Sequence, residues 1–218
     1  MEPIRYLALG DSYTIGTGLI DPSGSFPSLL ARRLSEATGI PVDVLNLGVN
    51  GYTTADLIRE ELPVARSSRA EIVTVLIGAN DIVQRVGAAA YRHRLAHIYE
   101  AIRELGLPSD RVVAISTPDF SALPGAAPFG TPAELHERVS AFNRLARSEA
   151  EERGFGFVDI AAINPRSNGE ADWLAADNLH PGPAQHRAFA DRIWDAARER
   201  WLAVRSDTSM GRTGDSVA

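Results

Sequence analysis

Apolar positions gather in five short runs separated by segments of a different period. Ile4-Arg5-Tyr6-Leu7-Ala8-Leu9 reads as a buried strand, and Val42 to Leu47 as a second. Ile72 to Ile77 is the clearest, β-branched and apolar on both faces as a buried parallel strand should be. Arg111–Ser116 and Phe155–Ile160 supply two more. Between the runs the apolar spacing lengthens to three or four. Phe26 to Thr38 places Leu29, Leu30 and Leu34 on one face and stops at Gly39. A helix capped by Thr53 or Thr54 is expected to run to about Leu62. Others are expected over Tyr91–Leu105, Ala133–Arg153 and Pro183–Val204, the last with proline at its start. Strands alternating with helices predict an α/β fold: a five-stranded parallel sheet with helices on both faces. No repeat or linker interrupts the pattern, so one domain is expected over residues 1–205. The small polar residues 206–218 are expected to form a disordered tail.

In such a sheet a site forms outside the carboxyl ends of the strands. Gly10-Asp11-Ser12 follows the first strand, Gly48-Val49-Asn50-Gly51 the second and Gly78-Ala79-Asn80-Asp81 the third. Asp177-Asn178-Leu179-His180-Pro181 comes after the fifth. All four stretches should therefore meet at one edge. A serine held there by a rigid strand and open on its other side suits a nucleophile, although Gly, Asp and Ser are also ordinary turn residues. An acid three residues before a histidine can fix the imidazole tautomer so that the ring accepts a proton. Seen in isolation, Asp177 and His180 read more readily as a helix cap and an incidental histidine; beside a strand-end serine the balance reverses. The Asn80 amide with the backbone N–H groups of Gly51 and Ser12 would make a preorganised donor set for an oxyanion. Both stretches are also common turn sequences.

Composition narrows the chemistry. The chain has 218 residues, 44% of them hydrophobic, enough for a packed α/β domain. A net charge of −6 with no dense basic stripe argues against nucleic-acid binding. No apolar run approaches the ~20 residues of a membrane span. Met1-Glu2-Pro3-Ile4 lacks the basic region and apolar core of a signal peptide, so a cytoplasmic location is expected. There is no Cys and no Lys. That removes thiolate chemistry, Schiff bases, a P-loop lysine and a Ser–Lys dyad. A serine nucleophile here must take its base from His, Asp or Glu. His93 and His97 have zinc-ligand spacing but lack an intervening Glu, and a solvated helix face is the better reading. Asp11 and Asp81 could pair as carboxylates, but hydrogen bonding to the neighbouring loop backbones is favoured.

Gly10-Asp11-Ser12, Gly51, Gly78-Ala79-Asn80-Asp81 and Asp177-Asn178-Leu179-His180-Pro181 resemble, in order and spacing, the four blocks of the SGNH (GDSL-type) hydrolase family. The likeness runs from about Ile4 to Val204. It implies a flavodoxin-like three-layer α/β/α sandwich and ester hydrolysis without cofactor or metal. Under this resemblance Ser12 is the nucleophile, His180 the base and Asp177 its orienting partner. Ser12, Gly51 and Asn80 are the oxyanion donors. Tyr13 stands where the family often has Leu, and Ala79 where Gly or Thr is frequent. The expected substrate is a small-molecule ester. An acyltransferase or deacetylase acting on a carbohydrate or other alcohol through the same site, and a non-catalytic carbohydrate-binding or scaffold protein, are the alternatives. The Pro/Gly-rich loop from Thr117 to Pro132 carries Phe120, Leu123 and Phe129, which with Tyr13 are expected to line a short acyl pocket.

Overall fold

The computed structural model describes residues 2–163 and 171–205; the expected tail, residues 206–218, lies outside them. Five strands, β1 (Ile4–Gly10), β2 (Val42–Asn46), β3 (Ile72–Leu76), β4 (Val112–Ile115) and β5 (Gly156–Val158), form one sheet in the order β2-β1-β3-β4-β5. Every pairing is parallel. The order reverses between β1 and β3, which is the switch point where a doubly wound sheet opens a crevice.

The longer helices are α2 (Phe26–Thr38), α6 (Ala88–Arg103), α7 (Pro132–Glu151) and α8 (Pro183–Leu202). Shorter pieces are α1 (Ser12–Ile15), α3 (Thr54–Asp56), α4 (Leu62–Ala65) and α5 (Ala79–Val83). α2 packs on α8 over one face of the sheet, and α6 packs on α7 over the other. Tyr6 of β1 meets Trp201 of α8 with ring centroids 5.9 Å apart, while Tyr91 stacks on Phe142 at 4.1 Å between α6 and α7. Both faces of β3 are buried, which explains its unbroken apolar run. β2, at one sheet edge, alternates between exposed and half-buried residues instead.

Two helix starts were only half legible. Gly39 ends α2 as the sequence indicated, and Pro27 lies in its first turn, but its N-cap Ser25 makes no side-chain cap. The Phe26 N–H donates instead to Nδ1 of the buried His186, at 3.3 Å. Thr53 caps α3 through a full capping box with Asp56. The helix then widens into a π turn, Leu57–Glu61, and continues through α4, past the expected end at Leu62.

Candidate active site

The carboxyl ends of β1 and β3 build the floor of the site. At the end of β1, Gly10 has φ +149°, and a Cβ on it would sit 2.1 Å from the Leu76 carbonyl oxygen. Only glycine lets the two strands approach this closely before the chain turns. Asp11 then caps α1, its Oδ1 accepting the Tyr13 N–H at 3.0 Å. Ser12 is therefore the first residue of a short helix directly after the strand, and it is 5% exposed.

The second and third stretches are tied to each other. Gly51, with φ +86°, makes the left-handed turn ahead of Thr53. Asn80 and Asp81 lie in α5, a short helix in a stretch whose sequence is equally that of a turn. Asn80 Nδ2 donates to the Tyr52 carbonyl at 2.9 Å. Asp81 accepts the Thr54 N–H at 2.8 Å and the Thr54 hydroxyl at 2.6 Å. Two adjacent side chains of α5 thus clamp the Gly51 turn. An amide NH2 carries two hydrogens, so Asn80 keeps one for a further acceptor. Asn46 adds a third tie, its Nδ2 donating to the Thr14 carbonyl at 2.9 Å. The carboxylates of Asp11 and Asp81 serve neighbouring backbone, as expected from the sequence.

His180 sits on a hairpin closed by the Leu174–Pro181 bridge and by the Ala175 N–H donating to the His180 carbonyl at 2.8 Å. Its Nδ1 lies 2.5 Å from Asp177 Oδ2, and Asp177 Oδ1 accepts the Leu179 and His180 N–H groups at 3.0 and 2.9 Å. Burial alone would raise the Asp177 carboxyl. The His180 ring and the two N–H groups outweigh it and hold the carboxyl below its ordinary range. An ionised carboxylate only accepts, so Nδ1 carries the proton and Nε2 keeps a lone pair.

Ser12, Tyr13, Asn80, Phe120, Phe129 and His180 line one cavity of about 200 Å³, together with Asn50, Ala79, Val83 and Leu179. Leu123 does not line it. The loop from Thr117 onward folds into a 3₁₀ turn at Pro124–Phe129, and Leu123, just before it, is buried in the core. Gly51 stands beside the lining residue Asn50 and is not itself part of the wall. Leu179 and Val83 were not foreseen, although Leu179 lies within the block that carries His180. His93 and His97 are on the exposed face of α6. A second His–Asp pair, His136 Nδ1 with Asp119 Oδ2 at 2.6 Å, has an exposed ring on a mostly buried carboxylate, and neither residue lines the cavity. A larger groove of about 550 Å³, between Leu19 and Arg32 on one side and Leu174 and Arg187 on the other, includes none of the expected site residues.

A five-stranded parallel sheet with helices on both sides, bearing this serine and His–Asp pair at its carboxyl edge, is the α/β fold of GDSL/SGNH hydrolases. The chain belongs to the GDSL-like lipase/acylhydrolase family, whose model matches residues 8–188. It is 26% identical over 216 residues to the isoamyl acetate-hydrolyzing esterase 1 homolog of Rattus norvegicus, covering 87% of this chain and 80% of that protein. It is also 26% identical over 203 residues to the GDSL-like esterase Rv1075c of Mycobacterium tuberculosis, covering 90% and 62%. Among solved structures, a carbohydrate acetylesterase family member from Sinorhizobium meliloti superposes with a TM-score of 0.70 at 20% identity, covering 92% of this chain and 99% of that one. No helix among the described residues is long and apolar enough to cross a membrane.

Proposed function

We propose that this protein is a serine esterase that hydrolyses carboxylic esters of short acyl chains through an acyl-enzyme. The observation that carries this reading is that Ser12 and His180 line the same cavity, with the Asp177 carboxylate 2.5 Å from His180 Nδ1. Ser12 Oγ attacks the ester carbonyl carbon while His180 Nε2 takes its proton. The carbonyl oxygen, now negative, is held by the Ser12 N–H and the free hydrogen of Asn80 Nδ2, with the Gly51 N–H reaching it from the turn beside the lining residue Asn50. The C–O bond to the alcohol then breaks, and the leaving oxygen takes the proton from Nε2. Water, deprotonated by His180, attacks the acyl-serine and releases the acid and the free enzyme.

The acyl group occupies the cavity against Tyr13, Val83, Phe120, Phe129 and Leu179. Its small volume favours short chains, and the esterase names of the relatives agree with the reaction class. Hydrolysis of p-nitrophenyl acetate by the wild type, Ser12→Ala and His180→Ala tests the reading. Each substitution should lower kcat by about 10³–10⁶-fold. Turnover by Ser12→Ala at the wild-type rate would overturn it.

A further inference from the structure

Two buried carboxyls behind Ser12 take no part in the reaction written above. Glu61 closes the π turn Leu57–Glu61 and is 2% exposed. Its Oε2 accepts the Gly10 N–H at 2.9 Å, and the Gly10 carbonyl accepts the Val49 N–H at 3.3 Å. The residue two before Ser12 is therefore held from both sides. Asp11 is fully buried between them in sequence, with one oxygen on the Tyr13 N–H. Each carboxyl has one more buried oxygen without a partner, Glu61 Oε1 and Asp11 Oδ2. An ionised carboxylate buried with so few donors is strongly disfavoured, whereas a protonated one is not. The π turn brings Glu61 inward on the same face as Leu57, and such wide turns recur at functional sites.

We propose that Glu61 is a positioning residue for Ser12, acting as a neutral carboxylic acid that holds the Gly10 N–H and keeps the Ser12 turn aimed into the cavity. The proposal rests on Ser12 being the nucleophile. Burial, opposed by the Gly10 N–H and reinforced by the Asp11 charge, pushes the Glu61 carboxyl up to about 8. Burial likewise raises Asp11 to about 7, against the Tyr13 N–H and with help from the Asp81 charge. The other charged or titratable groups near the pair come from three helices. Asp81 of α5 is also raised by burial, with the Arg94 guanidinium of α6 at 3.5 Å opposing. The phenols of Tyr13 in α1 and Tyr91 in α6 are pushed above their ordinary value by burial. On the helix that carries Glu61, Arg59 is paired with Asp56 and Glu60 at the surface. Raising the pH therefore charges Glu61 beside Asp11, and that repulsion disturbs the turn.

Steady-state kinetics of Glu61→Ala and Glu61→Gln on a short-chain p-nitrophenyl ester, from about pH 6 to about pH 10, test this. Glu61→Ala should lower kcat by roughly 10–100-fold with KM within about twofold, the signature of a misplaced nucleophile. Glu61→Gln is neutral at every pH and can still accept the Gly10 N–H. It should restore kcat to within about threefold and lack the loss of kcat that the wild type is expected to show as the pH rises through about 8. An equal defect in Glu61→Gln and Glu61→Ala would overturn the proposal. So would identical alkaline profiles in Glu61→Gln and the wild type, or a Glu61→Ala protein that loses only thermal stability. If Glu61→Ala does not fold, the comparison of Glu61→Gln with wild type decides alone. A wild type whose turnover does not depend on Ser12 refutes the proposed function instead, which is a separate result.

Discussion

The size of the acyl cavity makes a graded prediction. A space of about 200 Å³ holds roughly six groups of ~30 Å³, the share of one water in the liquid. An acyl chain should therefore gain from each added carbon up to about hexanoyl and then stop gaining. Each methylene that is buried contributes about 0.8 kcal/mol, close to fourfold in kcat/KM. Beyond the optimum the added carbons remain in water and the profile flattens or falls. Phe129 is the residue to remove, because it is half-buried at the mouth. Phe120 is 2% exposed and packed in the core, so its truncation would cost on the order of 3–5 kcal/mol of stability and blur the result. An apolar hole of about 150 Å³ accommodates a benzene ring, so Phe129→Ala should enlarge the pocket by up to that amount. Part of the gain opens to solvent, and a shift of the optimum by two to four carbons is expected, with acetyl turnover nearly unchanged. The assay is kcat/KM over p-nitrophenyl esters from acetyl to palmitoyl for both proteins. A wild type that prefers palmitoyl, or an unshifted profile in Phe129→Ala, would refute the assignment of this cavity to the acyl group.

Three further outcomes follow from the geometry. Asn80→Ala should lower kcat by about 10²–10³-fold with little change in KM, since the amide's free hydrogen is needed most at the oxyanion. His136→Gln should leave kcat within about threefold, because that exposed ring does not line the cavity; a loss as large as that of His180→Ala would reassign the base. Burial and the nearby His180 charge lower the His186 ring to about 4. The unfolded chain therefore takes up a proton near 6.5 that the folded chain refuses, so stability falls as the pH drops from about 6.5 to about 4. Denaturant unfolding should show this loss, on the order of 3 kcal/mol at most, and His186→Gln should lack it.

Strands β1 and β3 were legible because a strand buried on both faces must be apolar without interruption. β5 came out shorter than its apolar run, since only Gly156–Val158 pairs with β4. α5 was hidden by its composition. Gly78-Ala79-Asn80-Asp81 reads as a turn, and five helical residues are too few to show a period. Ser12 and Asn80 could be placed at one edge because each directly follows a strand, and the Asp177–His180 contact could be read from the three-residue spacing, although that pair sits on a hairpin well past β5. Glu61 was missed, yet a signal existed. It lies on the interior face with Thr54, Leu57 and Ala65, so an acid occupies an apolar position. Leu123 misled for the opposite reason. Its apolar side chain on a long loop is equally suited to a pocket or to the core, and the 3₁₀ turn after it selects the core.

The central claim is that Ser12 is the nucleophile that His180 activates. Reaction with a fluorophosphonate probe, followed by peptide mass analysis, tests it most directly. One adduct on the peptide containing Ser12 is expected, absent from Ser12→Ala and formed much more slowly by His180→Ala and Asp177→Asn. Labelling of another serine, or labelling that persists undiminished in Ser12→Ala, would contradict the account.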